Sequence, residues 1–273
     1  MIRRCLITGG NAGLGKAAAL ALARDGWEVI LVARDRGRGE AALADVARIA
    51  RVAPRLSVVD LTVSDGIERL ADDVCRRLDR LDVLLNNAGV ITPHAVLTPD
   101  GHETQFAVNY LAPFQLTTRL LDLLCASAPA RIVNVSSEAH RWANPDYDPR
   151  QPPDPYEPRR VYAWTKLANI WFTCVLSTRL DRSRVTVNAL HPGVVSTKLL
   201  RDGMPYLTKF ATPFIGVSAD KGARTSVYLA TSPDVADVSG CYFRDCRVVV
   251  PSDAARDPNR ARRLWMLSEE LIG

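Results

Sequence analysis

The chain has 273 residues, of which 47% are hydrophobic, 7% aromatic and 24% charged. That balance suits one large α/β domain with a sizeable core and excludes disordered, collagenous and membrane-spanning classes. The net charge of +5 comes mostly from dispersed arginine without interleaved aromatics, so no nucleic-acid partner is expected.

Short apolar runs alternate with helical stretches along the chain. A first strand begins near Arg3 and contains Cys5-Leu6-Ile7, and an Ala/Leu-rich helix follows from Leu14 to Arg24. Gly26 closes that helix, Val29–Val32 reads as a second strand, and Gly39–Arg51 reads as a second helix. Leu56–Val59 is a third strand, and Ser64-Asp65 opens a helix reaching Leu78 with good N-cap chemistry. Val83–Leu85, Ile132–Val135 and Val185–Leu190 supply further strands, with helices at Gly101–Leu124 and Val161–Leu180 between them. The strands are continuous apolar runs, as in strands buried on both faces. Alternating units of this kind predict an α/β, doubly wound, Rossmann-type parallel sheet of about seven strands with helices on both faces.

No internal repeat and no composition break appears, so residues 1–273 read as one domain. Two segments interrupt the alternation. Residues 144–158 hold prolines at 145, 149, 152, 153, 155 and 158 and predict a stiff, ordered cover, since proline fixes φ and lacks a donor. Residues 199–218, with Tyr206, Phe210 and Phe214, predict a substrate lid. A first strand starting so early leaves no room for a targeting peptide, and a cytoplasmic location is expected. Six cysteines lack any C-x-x-C and four histidines lack ligand spacing, so reduced thiols and no metal are expected.

The chemistry is concentrated where strands end. Thr8-Gly9-Gly10-Asn11-Ala12-Gly13-Leu14-Gly15 lies between the first strand and its helix, where glycines let backbone approach a pyrophosphate and the helix N-terminus favours it. A plain glycine-rich turn is the alternative. Strand two ends Val32-Ala33-Arg34-Asp35; an acid at the strand's last residue would select NAD, but Ala33 stands there. Arg34 in the following loop suits a 2′-phosphate, and Asp35 is placed to start the second helix. Asp60 and Ala88-Gly89, at the ends of strands three and four, suit an adenine and a close backbone approach, although turn chemistry gives the same residues. Ser137 ends strand five. Tyr162 and Lys166 share one helix face about one turn apart, and a nearby ammonium favours a phenolate.

These pieces, with Asn86-Asn87-Ala88-Gly89, Asn109 and Pro192-Gly193, resemble the short-chain dehydrogenase/reductase superfamily in content and order. Longer strings, among them Val108-Asn-Tyr-Leu111, Arg131–Ser137, Lys166-Leu-Ala-Asn169 and His191-Pro-Gly193, resemble its retinol dehydrogenase branch. The resemblance implies an NADP(H)-dependent oxidoreductase interconverting a ketone or aldehyde with an alcohol. Catalytic roles fall to Asn109, Ser137, Tyr162 and Lys166: proton relay, substrate orientation, general acid/base, and support of the phenol and the nicotinamide ribose. The implied cofactor shell is Gly9, Asn11, Gly13, Leu14, Gly15, Arg34, Asp60, Leu61, Asn87, Ala88, Gly89, Tyr162, Lys166, Pro192, Gly193, Val195 and Thr197. The expected partner is a bulky, apolar small molecule, and a homodimer through the helices beginning near Gly101 and Val161 is also implied. Two rival readings stand beside this one: a tailoring reductase for polyketide- or steroid-like substrates, and a catalytically silent NADP-binding sensor or scaffold.

Overall fold

In the computed structural model the described residues are 1–181, 184–193 and 218–273. Eight strands form one sheet: β1 Arg4–Thr8, β2 Glu28–Ala33, β3 Arg55–Val58, β4 Val83–Asn86, β5 Ala130–Val135, β6 Val185–His191, β7 Tyr242–Arg244 and β8 Arg247–Val248. The order is β3-β2-β1-β4-β5-β6-β7-β8, parallel throughout except for the final β7–β8 hairpin. The expectation of about seven strands is close, but the apolar runs place only six: β7 is three residues long and β8 is two exposed residues with no apolar pattern to betray them.

Parallel strands pair across the sheet in simple register, with Leu6 opposite Ile30 on one side and Leu84 on the other. Side chains alternate between faces, and both faces are covered. Leu6, Ile30, Val32, Leu84 and Ile132 point into one core, built with α3 (Ser64–Arg77), α5 (Ala112–Ala126), α6 (Pro158–Arg179) and α8 (Pro258–Ile272). Cys5, Ile7, Val29, Leu31, Val83 and Val133 point into the other, against α1 (Gly13–Arg24), α2 (Arg36–Ala47) and α7 (Ala219–Thr231). In α3 the buried residues Ile67, Leu70, Ala71 and Val74 fall on a single stripe, as an amphipathic helix requires. By contrast α6 is buried nearly all round, because α8 lies on its outer flank. Trp265 of α8 packs on Phe114 and Phe172, and the Trp171 indole donates to the Ala254 carbonyl at 2.9 Å.

The predicted helix at 101–124 is interrupted. A single turn, α4 (Thr104–Phe106), runs into a π-type turn at Ala107–Leu111 and only then into α5. The wide turn leaves the Asn109 carbonyl to accept from the Asn169 side chain at 2.9 Å, a tertiary contact that no local pattern encodes. The Pro-rich stretch holds no helix or strand until Pro158, which is the first residue of α6, a place where its missing N–H costs nothing. Its front half lies against α6 and α8, where Tyr147 packs on Trp164 and Asp146 pairs with Arg260 at 2.6 Å. Its Tyr156 end hydrogen-bonds Thr92, Gln105 and Glu103. Of the expected lid, residues 199–217 lie outside the described residues, as do Val195 and Thr197; Ser218 caps α7. Among the described residues no helix is long and apolar enough to cross a membrane.

Candidate active site

Strand order reverses between β1 and β4, the point of an open parallel sheet beyond whose C-terminal strand ends a ligand crevice is expected. There the backbone approaches as closely as glycine allows. Gly9 has φ +66°, and a Cβ on it would stand 3.0 Å from the Ala88 Cα. A Cβ on Gly15 would overlap the Gly9 carbonyl oxygen and come within 2.5 Å of the Asn87 amide nitrogen. Thr8 locks the two strand ends together: its hydroxyl accepts from the N–H groups of Asn87 and Ala88, both at 3.0 Å. Asn87 returns a side-chain bond to the Thr8 carbonyl at 2.8 Å.

The first turn of α1 is left open. Its N-cap residue, Ala12, supplies no side-chain bond, and no acid stands in the turn. The amides of this turn and the positive dipole end fit a pyrophosphate. Gly13 is exposed beside them, with Asn11 and Leu14 half-buried. β2 ends at Ala33, Arg34 is exposed in the loop, and Asp35 caps α2 by accepting from the Arg38 N–H at 2.8 Å. Arg34 makes no ion pair or hydrogen bond among the described residues. Asp60, beyond β3 and followed by half-buried Leu61, spends one carboxylate oxygen on the N–H and hydroxyl of Thr62.

The opposite end of the crevice carries the proton chemistry. β5 delivers two serines with different fates. Ser136 is buried and its hydroxyl donates to the Lys166 carbonyl at 2.7 Å, whereas the Ser137 hydroxyl accepts from the Ala139 N–H at 3.2 Å and stands near enough to the Tyr162 phenol to favour its charged form. Tyr162 is half-buried. That burial pushes the phenol up to about 12, and the hydrogen bond from Ser137 pulls it back. Lys166 is 3% exposed, and burial brings its ammonium down to about 8. Its Nζ donates to the Val135 carbonyl at 2.9 Å and stands 5.4 Å from the Tyr162 ring centre. A Cβ on Gly89 would touch both the Lys166 Nζ and the Asn109 side-chain oxygen, at 3.6 and 3.5 Å. Gly89 therefore marks where the two ends of the crevice meet.

Asn109, buried in the π-type turn, uses its side chain as a clamp. Its oxygen accepts from the Val90 N–H at 2.7 Å, and its nitrogen donates to the Val90 carbonyl and the Thr165 hydroxyl. With its backbone carbonyl taken by Asn169, a water relay through this residue has only the remaining lone pairs of these oxygens. Pro192 and Gly193 follow β6 at the same sheet edge, Gly193 with φ +86°. The roles of Thr8 and of the buried ladder Thr117–Asn86–Asn134–Thr173 escape sequence reasoning. Their one signal is Asn86 and Asn134, amides at matching ends of strands that pair in register.

The short chain dehydrogenase family model matches residues 3–204. The chain is a short-chain dehydrogenase. Retinol dehydrogenase 14 of Homo sapiens is 41% identical to this dehydrogenase over 293 residues, covering 98% of this chain and 85% of that one. Retinol dehydrogenase 13 of Homo sapiens is 40% identical, with 98% and 84% covered, and the dehydrogenase belongs to this retinol dehydrogenase-like branch. Among solved structures, a protein from Mycobacterium paratuberculosis superposes with a TM-score of 0.77 at 34% identity, covering 99% of this chain and 93% of that chain. A short chain dehydrogenase from Escherichia coli CFT073, complexed with NADPH, gives 0.74 at 25% identity over 90% of this chain and 97% of that one.

Proposed function

We propose that this dehydrogenase uses NADP(H) to interconvert a bulky, apolar ketone or aldehyde with its alcohol, and that it works in the cytoplasm. The observation that carries the proposal is the meeting of the Ser137 hydroxyl, the Tyr162 phenol and the Lys166 ammonium beside Gly89, where the crevice ends. A bound nicotinamide dinucleotide supplies or takes the hydride. Gly9 to Gly15, Asp60 and Asn87 to Gly89 would hold its adenosine and pyrophosphate, and Lys166, Pro192 and Gly193 its nicotinamide end; Val195 and Thr197 are proposed for its carboxamide.

The protein's own part is proton supply and aim. Ser137 donates a hydrogen bond to the substrate oxygen and fixes it against the phenol. In reduction Tyr162 gives its proton to that oxygen, and in oxidation it takes the proton back. Burial keeps the phenol protonated at neutral pH, as a proton donor needs. The Lys166 charge counters that burial and eases the proton's departure. A silent sensor has no use for a buried amine beneath a phenol, since burying an ammonium without a carboxylate partner is costly.

NADP is favoured by the unpaired Arg34 at the end of β2, by the commitment of Asp35 to its helix, and by the NADPH-complexed relative. A bulky, apolar substrate is favoured by the relatives, which are named for retinol. Pairing of two copies through α5 and α6 has to contend with α8, which occupies their outer flank. The test is NADPH oxidation with retinal, steroid ketones, polyketide-like ketones and aromatic aldehydes. Turnover with at least one of them is expected, and NADPH binding without any turnover contradicts the proposal.

A further inference from the structure

The peptide unit that follows Ser137 is gripped at both ends by imidazoles from distant parts of the chain. Its carbonyl accepts from His140 Nδ1 at 2.7 Å, and its N–H, on Glu138, donates to His191 Nδ1 at 3.3 Å. A carbonyl only accepts, so His140 Nδ1 carries the proton. His140 Nε2 accepts from the Ser252 N–H at 3.1 Å and therefore holds a lone pair. These two bonds define one neutral tautomer for His140. By the same reasoning His191 keeps its Nδ1 lone pair and carries its proton on Nε2. Both side chains are buried, at 1% and 9% exposed. His191 is the last residue of β6 and leads directly into Pro192-Gly193, so this grip joins the substrate side of the crevice to the nicotinamide side.

We propose that His140 and His191 are positioning residues: as neutral imidazoles they fix the Ser137–Glu138 peptide plane and so aim the Ser137 hydroxyl, and protonating His191 releases the plane on its N–H side and slows turnover. The role rests on the oxidoreductase reading given above. A cation on His140 gives up the bond from Ser252 but keeps its Nδ1–H on the Ser137 carbonyl, whereas one on His191 cannot accept from Glu138. Misplacing a reacting group by about 1 Å costs on the order of 100-fold in rate.

The surroundings set the direction of the pH effect. Burial lowers both imidazoles from their ordinary 6.5. Around His140, the bond to the Ser137 carbonyl opposes that most strongly, the Arg141 guanidinium adds to it and the Glu138 carboxylate opposes it. Around His191, Arg244 and His140 lower it while Glu138 and Asp245 raise it. From β7, Tyr242 packs edge-on to His140 and donates to the Glu138 carboxylate at 3.0 Å; α6, packed along the same turn, carries Tyr162 and Lys166. The grip is thus complete at neutral pH and fails as pH falls below the ordinary imidazole value.

The experiment compares His140→Leu, His191→Leu, His140→Asn, His191→Asn and the double asparagine variant. An asparagine nitrogen reproduces the donor at His140 Nδ1, and an asparagine oxygen reproduces the acceptor at His191 Nδ1. Each leucine variant is expected to lose about 10- to 100-fold in kcat with NADPH affinity unchanged, and asparagine to recover most of it. The wild type is expected to show an acid limb in kcat that the double asparagine variant lacks, since amides do not titrate. An unchanged acid limb in that variant, or leucine variants within about threefold of wild type, overturns the proposal. Long-range 15N NMR on the wild type reads the tautomers without depending on any variant's folding: His140 protonated on Nδ1 and His191 on Nε2 are expected, and any other pair overturns it. Absence of turnover in the wild type sinks the oxidoreductase reading, whereas the tautomers report on the grip alone.

Discussion

Two helices start at the same edge of the sheet and treat their first amides in opposite ways. α2 is closed by its own Asp35, which accepts from the Arg38 N–H at 2.8 Å, while the N-cap position of α1 holds Ala12, whose side chain caps nothing. A helix N-terminus offers orphan donors, and the bare end of α1, where Gly9 and Gly15 also close on the neighbouring strand end, is the one proposed to receive an external anion. The capped end is equally informative, because the acid nearest the ribose position is already spent and the arginine before it is free among the described residues.

The largest break in this contrast comes from closing the open end. Ala12→Asp should supply the missing cap and a negative charge, weakening NADPH binding by roughly 100-fold while leaving the empty protein as stable or slightly more so. Isothermal titration and thermal melting read the two halves, and unchanged affinity would remove α1 from the nucleotide site. A smaller effect, on selectivity, is expected from Arg34→Ala: about 10- to 50-fold weaker NADPH binding with NADH within about twofold. Equal losses for the two nucleotides sink its role as a phosphate clamp. The smallest is Asp35→Ala, which should cost about 1 kcal/mol of stability through the lost cap and leave both affinities nearly alone. A selective loss of NADH there assigns Asp35 to the ribose instead.

Much of this was legible in the sequence because strands buried on both faces leave continuous apolar runs, and every strand end carries a recognisable residue. Asp35 is the clearest instance: once the strand end is placed, its use as the cap of α2 follows. What stayed hidden depends on contacts between distant segments. The π-type turn around Asn109 answers to Asn169. The two serines at the end of β5 look alike until one meets the Lys166 carbonyl and the other the phenol. His140 and His191 read as scattered histidines until β6 returns beside the turn after β5. The second helix begins at Arg36, three residues before the expected Gly39, because Asp35 caps it and glycines in its first turn mask the pattern.

The central claim is that the Tyr162 phenol delivers the proton while a dinucleotide lies in the crevice. The direct measurement is Tyr162→Phe, with NADPH affinity by titration and carbonyl reduction by NADPH consumption. Affinity within about threefold of wild type and a loss of at least 100-fold in kcat are predicted. Turnover within about tenfold of wild type, at intact affinity, contradicts the claim.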